Sequence, residues 1–344
     1  MARNTLTHTS IFQATDATVI PEISFPLLEK LSISLLIPAY NEEIGIGNVI
    51  DKFRRVIPTA EIYVYDNNSI DGTVEVANQL GAIVRQEPRQ GKGQVVRRMF
   101  ADIDSDVYIL VDGDNTYDPQ IAPTLVELLL HNGLDMINCA RIPTTNTAYR
   151  PGHKFGNHVL SGIVRVIFGN NFKDMLSGYR VFSRRFVKSF PAMTTGFEIE
   201  TELTIHALQL KMPVMEFPCH FQSRIEGSES KLKTFSDGLR ISATIANLVR
   251  QEKPLALFFS ISFLFSSISL FLAYPLIGTY LDTGLVPRLP TAILSTSLML
   301  GAILSMACGL ILDTVTRGRQ ETKRLAYLSI PGIYEKLKSS YAGS

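Results

Sequence analysis

The sequence predicts an α/β protein, a mostly parallel sheet covered by helices on both faces, followed by two helices that cross a membrane. Three observations carry this. Short apolar runs alternate with helical patterns from Leu31 to Cys139, which is the rhythm of repeated βαβ units. Leu255 to Leu281 and Thr291 to Leu312 carry no charged residue over about 27 and 22 positions, and each is long enough to span a bilayer. Asn41, Asp66, Asp112, Asp114 and Arg141 all fall at the carboxyl ends of the predicted strands, where open α/β sheets bind their ligands.

In chain order, Leu31 to Pro38 (LSISLLIP) is the first strand, stopped by Pro38 at an exposed end. Ile46, Val49, Ile50, Phe53 and Ile57 recur at helical spacing and form the next helix. Glu61 to Tyr65 is the second strand, and a helix over Val74 to Leu80 closes on Gly81. Ala82 to Arg85 is the third strand, Gln94 to Ile103 a helix, Val107 to Val111 the fourth strand, Ile121 to Leu130 a helix, and Asp135 to Cys139 another strand. Beyond Pro143 the strand rhythm fades and polar motifs thicken.

The expected organisation is a polar lead-in (1–30), a catalytic domain (31–236), an amphipathic surface helix (237–253), a membrane hairpin (254–313) and a tail (314–344). The lead-in lacks the basic start and apolar stretch of a signal peptide. Leu239, Ile241, Ile245, Leu248 and Val249 give the surface helix its apolar face. Arg250 and Lys253 precede the hairpin, and Arg317, Arg319, Lys323 and Arg324 follow it, whereas its loop holds only Arg288. The positive-inside rule therefore puts both outer ends, with the catalytic domain, in the cytoplasm.

Among its 344 residues the chain carries 33 basic and 32 acidic ones, a net charge of +1, which gives no footprint for nucleic acid. Cys139, Cys219 and Cys308 are too scattered for a C-x-x-C motif, and an odd count cannot complete a disulfide framework. They fit a reducing compartment. The six histidines show no metal-binding spacing.

The chemistry concentrates in polar motifs. Tyr108 to Pro119 (YILVDGDNTYDP) delivers Asp112 and Asp114 to a strand end with Gly113 between them. Side-chain alternation points such a pair to one side, and two hard oxygens suit Mg²⁺ or Mn²⁺ when a diphosphate completes the shell. A bare D-x-D is more often a polar turn. Ile37 to Glu43 (IPAYNEE) offers Tyr40 to stack on a base and Asn41 and Glu42 to accept from ribose or base; as an ordinary reading, Asn41 caps the next helix. In Asp66 to Thr73 (DNNSIDGT), Asp66 can accept from a base N–H, while Ser69 and Asp71 suit a turn. Gln90 to Arg98 (QGKGQVVRR) places Lys92 at a helix start where backbone N–H groups meet phosphate, or in a solvated loop. Asp174 to Arg180 (DMLSGYR), Gly196 to Glu202 (GFEIETE) and Gln222 to Leu232 (QSRIEGSESKL) follow. Glu198, Glu200 and Glu202 suit a helix dipole. Arg224 and Lys231 flank a Gly-Ser stretch able to close on an anion.

Taken in order, IPAYNEE, DNNSIDGT, GKG, DGD, DMLSGYR and RIEGSESKL resemble the family 2 glycosyltransferases of the GT-A fold. The resemblance is strongest to the polyprenyl-phosphate glycosyltransferases, the group of dolichol-phosphate mannose synthases and bacterial enzymes acting on undecaprenyl phosphate. It covers about Leu31 to Ser236, and the two-helix anchor matches bacterial members. It implies that Pro38, Tyr40, Glu42 and Asp66 line a nucleotide pocket, to which the motifs add Asn41, Asn68, Lys92 and Arg141. It implies that Asp112 and Asp114 hold Mg²⁺ or Mn²⁺ on a sugar-nucleotide diphosphate, and it assigns Asp174, Ser177 and Arg180 to the sugar and acceptor region. Arg224, Ser230 and Lys231 then meet phosphate, which makes Asp112, Asp114, Asp174 and Arg224 the expected catalytic set. Two positions depart from many relatives. Asn67 stands where a second Asp is common, and Thr116 where Gln is common, leaving nucleotide choice and the third metal ligand open.

The expected activity is inverting transfer from a nucleotide sugar, UDP-sugar favoured over GDP-sugar, to a polyprenyl phosphate in a bacterial inner membrane. A phosphate monoester is largely a dianion at neutral pH and needs no separate base. The rivals are a processive polysaccharide synthase, which would carry Q-x-x-R-W although this chain has no Trp, and a non-catalytic nucleotide-sugar sensor. Association of copies through the spanning region is left open.

Overall fold

The computed structural model describes residues 12–13, 31–143, 162, 172–194, 196, 198–222, 250, 252–333 and 335. The chain divides into two units, residues 1–241 with 323–344 and residues 242–322.

The first unit is built on one eight-stranded sheet in the order β1-β8-β6-β7-β5-β2-β3-β4. The strands are β1 (Phe12–Gln13), β2 (Ile33–Ala39), β3 (Glu61–Asp66), β4 (Ile83–Gln86), β5 (Val107–Leu110), β6 (Met136–Pro143), β7 (Arg180–Ser183) and β8 (Val214–Phe221). Only β7 runs antiparallel, against β5 and β6. The predicted parallel sheet is thus present, with an antiparallel strand inserted at its centre. Helices α1 (Glu43–Val56), α2 (Thr73–Gln79), α3 (Lys92–Asp102), α4 (Ala122–His131), α5 (Arg184–Ser189) and α6 (Ile199–Gln209) are the described helices of this unit. α1 buries Ile46, Val49, Ile50 and Phe53, the face that the spacing of three and four predicted. They join Leu35, Ile37, Ile109 and Val111 in one apolar core.

Four differences from the sequence reading have physical causes. Pro38 does not end β2, which pairs with β3 through Ala39. Ala39 O accepts from Asn67 N on the β3 side, whereas Leu36 O accepts from Val111 N on the β5 side. By alternation Pro38 faces β5, whose pairing has already stopped at Leu36, so its missing N–H leaves no gap. β7 and β8 were not anticipated. β7 is four residues long and begins with Arg180, and β8 carries Glu216 and Pro218, so neither shows the apolar run of a buried strand. The lead-in contributes β1, paired with β8 through Phe12 and Met215.

The fourth difference is at the C-terminus. Helix α8 (Leu289–Leu328) continues well past the apolar stretch, and residues from Lys323 belong to the α/β unit. Tyr327 is buried and its hydroxyl donates to Asp135 Oδ2 at 2.7 Å. Arg185 donates to the same carboxylate at 2.9 Å, its guanidinium 4.3 Å from the Tyr327 ring centroid. Lys323 Nζ donates to Gln209 Oε1 at 2.9 Å and Arg324 donates to Leu210 O, which puts two cations at the carbonyl end of α6. The segment expected as a separate tail (314–344) therefore starts within α8 and from Lys323 is assigned to the α/β unit.

The second unit holds α7 (Pro254–Thr283) and α8 as far as Thr322. Both helices are long and apolar enough to cross a membrane, each containing an 18-residue stretch of high mean hydropathy, 2.2 in α7 and 2.0 in α8. They pack through small and hydroxyl residues, as helices do where lipid removes the hydrophobic drive to associate. Ser269 Oγ donates to Ser295 O at 2.8 Å, and Ser295 Oγ returns a bond to Ser269 O at 3.0 Å. A Cβ on Gly309 would sit 2.9 Å from that of Phe258, so glycine sets this close approach. Gly284, at φ +68°, ends α7 in the left-handed region. Most of the expected amphipathic helix (237–253) lies outside the described residues.

Candidate active site

The DGD stretch is a turn, not the extended segment predicted. β5 ends at Leu110, and Asn115 turns the chain with φ +57°. The Thr116 hydroxyl donates to Asp114 Oδ1 at 2.6 Å, and the Thr116 N–H does so at 3.2 Å. Thr116 therefore orients Asp114. The Asp112 carboxylate lies so close to Gly178 that any Cβ there would collide with it. This gives the glycine of DMLSGYR a steric reason. Gly178 N–H in turn donates to the Tyr117 hydroxyl at 2.9 Å.

Opposite Asp112 stands Lys92, the first residue of α3. Its Nζ donates to Asp112 Oδ1 at 2.5 Å and to Glu200 Oε1 at 2.6 Å. Burial alone would lower the lysine pKa, but the two carboxylates raise it above the ordinary value, so the ammonium stays charged. Glu200 was read as a helix-dipole residue; in α6 it is buried and belongs to this cluster. Its signal in GFEIETE was obscured by two neighbouring glutamates, of which Glu202 instead accepts from Met193 N at 2.8 Å and Thr194 N at 2.8 Å.

The pocket motifs IPAYNEE and DNNSIDGT clasp each other. Asn41, at φ +52°, accepts from Ile70 N through Oδ1 at 2.9 Å, and its own N–H donates to Ser69 Oγ at 2.9 Å. Glu42 N–H donates to Thr73 Oγ1 at 2.8 Å. Asp66, at the end of β3, accepts from Ser69 N at 3.2 Å and is 1% exposed. Tyr40 is exposed, and Pro38 is partly buried. Asn68 donates to Pro88 O at 3.0 Å, tying this motif to the loop before Lys92.

Two residues of the expected acceptor region are turned into the fold. Arg180 does not face a phosphate. It is 0% exposed, and it donates to Ser177 O at 3.1 Å, Met175 O at 2.8 Å and Thr204 Oγ1 at 2.8 Å. Burial lowers its pKa to about 10. It braces the core, because its guanidinium fork satisfies three acceptors that only a long cation on β7 reaches. Asp174 is committed to Arg141. Both oxygens accept from Arg141, at 2.6 Å and 2.8 Å. Burial would raise its pKa, yet Arg141 and backbone N–H groups hold it below the ordinary carboxylate value. The pair positions Arg141, whose guanidinium lies 5.5 Å from the Phe221 ring centroid. Arg224, Ser230 and Lys231 lie outside the described residues.

The donor set fits a hard divalent cation. Among the described residues no three His, Cys, Asp or Glu side chains gather as a self-sufficient metal cage. Asp112 and Asp114 offer the one or two carboxylates that Mg²⁺ or Mn²⁺ takes from protein when substrate phosphate and water supply the remainder.

Comparison with known proteins fixes the class. The profile of glycosyl transferase family 2 matches residues 34–190. Protein RfbJ of Shigella flexneri is 47% identical over 129 residues, which is 37% of this chain and 100% of that one. Glycosyltransferase AglJ of Haloferax volcanii is 28% identical over 304 residues, 86% of this chain and 98% of its own. A dolichyl-phosphate hexose transferase of the same organism is 26% identical over 222 residues, 64% and 95% of the two chains. Residues 34–190 form a glycosyl transferase family 2 domain. Among solved structures, glucosyl-3-phosphoglycerate synthase of Mycobacterium tuberculosis, in complex with Mn²⁺, UDP and glucosyl-3-phosphoglycerate, superposes with a TM-score of 0.53. Identity is 24%, over 67% of this chain and 84% of that one, and this likeness shows the GT-A fold alone.

Proposed function

We propose that the chain transfers a sugar from a nucleotide sugar, a UDP-sugar in preference to a GDP-sugar, to a polyprenyl phosphate, with inversion at the anomeric carbon. The observation that carries this reading is the Lys92–Asp112–Glu200 cluster, which joins the start of α3 to the turn after β5 inside a family 2 domain, in a chain with two helices long enough to span a bilayer. The dolichyl-phosphate hexose transferase relative names the same class of acceptor.

In this reading Asp66 accepts from a base N–H, and the exposed Tyr40 offers its ring to the base. Asp112 and Asp114 would hold Mg²⁺ or Mn²⁺, which supplies charge neutralisation to the departing nucleoside diphosphate. Lys92, kept as an ammonium by its carboxylate partners, is a fixed cation for the same diphosphate. Arg141, held by Asp174, is the cation offered to the sugar. The acceptor phosphate has a second pKa of about 6, so as a dianion it is its own nucleophile and no general base is required. Arg224, Ser230 and Lys231 bind that phosphate and offset its repulsion from the donor. A single displacement gives a β-linked lipid-phosphate sugar from an α-linked donor. The hairpin would anchor the chain in the bilayer that carries the acceptor lipid.

The test is to incubate membranes containing the chain with a panel of radiolabelled UDP- and GDP-sugars and extract the lipid phase. One donor is expected to label it, and Asp114→Asn membranes are expected not to. If no donor labels the lipid phase while labelled sugar accumulates on another acceptor, the polyprenyl-phosphate assignment falls.

A further inference from the structure

We infer that Asn67 is a positioning residue that fixes the loop before Lys92, and so presents that lysine to the donor diphosphate, without itself reading the base. The inference rests on the functional reading above for its ligand. Its geometry stands independently.

Asn67 follows Asp66 at the end of β3 and is 3% exposed. Its amide nitrogen donates to Glu87 O at 2.8 Å and to Arg89 O at 2.8 Å. Its amide oxygen accepts from Gly91 N at 2.7 Å. Both N–H donors and the carbonyl are thus committed to a single loop, and the side chain points into residues 87–91. That loop needs holding. Gly91 has φ +129°, a conformation that only glycine adopts readily, and the next residue is Lys92, the first of α3. The Lys92 ammonium must stay within reach of both Asp112 and Glu200, so a loop that drifted by an ångström would break the cluster.

The pattern is one that a carboxylate cannot make. An aspartate at 67 would set an anionic oxygen 2.8 Å from both carbonyl oxygens, each of which now accepts a hydrogen bond. Two acceptors, of which Glu87 O is buried, would lose their donors, and a buried charge would gain no partner. The amide at this position is therefore a requirement of the loop, and Asp66 alone is left to meet the base.

The experiment uses the full-length, detergent-purified protein with Asn67→Asp, and with Asn67→Ala, which removes the bonds without adding charge. Backbone hydrogen exchange is read with no ligand present. Residues 87–92 are expected to exchange at least about tenfold faster in both variants while α4 is unchanged. Binding of UDP and of GDP is then measured with Mn²⁺, with uridine and guanosine as competitors. The diphosphate that binds the wild type is expected to weaken about tenfold or more in both variants, and its nucleoside by less than about twofold. Unchanged exchange at 87–92 would overturn the holding role. Equal weakening of nucleoside and diphosphate would make Asn67 a base reader. A wild type that binds neither diphosphate would sink the functional reading and the diphosphate half of this one, and the exchange result would still decide whether Asn67 holds the loop.

Discussion

Lys92 Nζ lies 2.5 Å from Asp112 Oδ1, joining the start of α3 to the turn after β5. The same ammonium neutralises the buried Glu200, so removing it strands two carboxylates. Lys92→Met is expected to destabilise the fold by about 3–5 kcal/mol, the usual result of breaking a buried pair from one side, and to reduce transfer about a hundredfold or more. Lys92→Met with Glu200→Gln is expected to recover most of the melting temperature and none of the transfer. Thermal melting and the lipid-phase assay separate the two effects.

Asp114→Asn keeps the Thr116 bonds available to an amide oxygen but removes a negative charge from the metal pair. Transfer is expected to fall about a hundredfold or more with membrane insertion intact. Wild-type rates in purified variant supplied with Mn²⁺ would sink the metal assignment.

Arg180→Met leaves Ser177 O, Met175 O and the Thr204 hydroxyl without their donor. A loss of about 2–4 kcal/mol in denaturant unfolding is expected. The KM for lipid phosphate, measured on the folded fraction, is expected to change less than about twofold. A tenfold rise would return Arg180 to the acceptor.

His206 is a second buried group with a readable consequence. Burial, aided by the Lys323 charge, lowers its pKa to about 3. The unfolded chain takes up this proton near pH 6.5 and the folded one only near 3, so the unfolded state binds more protons between these values. Stability therefore falls as pH drops below about 6.5, by about 2 kcal/mol at pH 5 from this group. His206→Phe, in a site walled by Phe186 and Phe190, is expected to flatten melting temperature between pH 7.5 and 5. An unchanged slope would show that other groups govern the acid limb.

Arg224→Ala is expected to raise the KM for lipid phosphate about tenfold while donor affinity moves less than about twofold. Equal losses would place Arg224 on the nucleotide side.

Legibility followed the local signals. β2 to β6 could be read because each is an apolar run bounded by helical spacing. β7 could not, because a four-residue strand that opens on Arg180 has no pattern of its own and exists only because β5 and β6 flank it. Asp112, Asp114 and Asp66 were legible since a parallel strand's end is a positional signal. Glu200 was not, since its partner Lys92 is 108 residues away, and a helix-start glutamate is ordinary. The burial of Arg180 and Asp174 was illegible for the converse reason: their motif is polar, but the fold turns both inward to satisfy backbone and charge.

The sequence by itself determined the α/β class, the two long apolar helices and the strand-end positions of Asp66 and Asp112, because hydrophobic period, span length and strand ends are properties of short windows. Only the tertiary structure decided which cation meets Asp112, that Asn67 holds the loop before Lys92, and that Tyr327 returns to Asp135 across 192 residues. Hydrogen bonds and ion pairs act over about 3 Å, and only a folded sheet brings residues so distant in sequence within that reach.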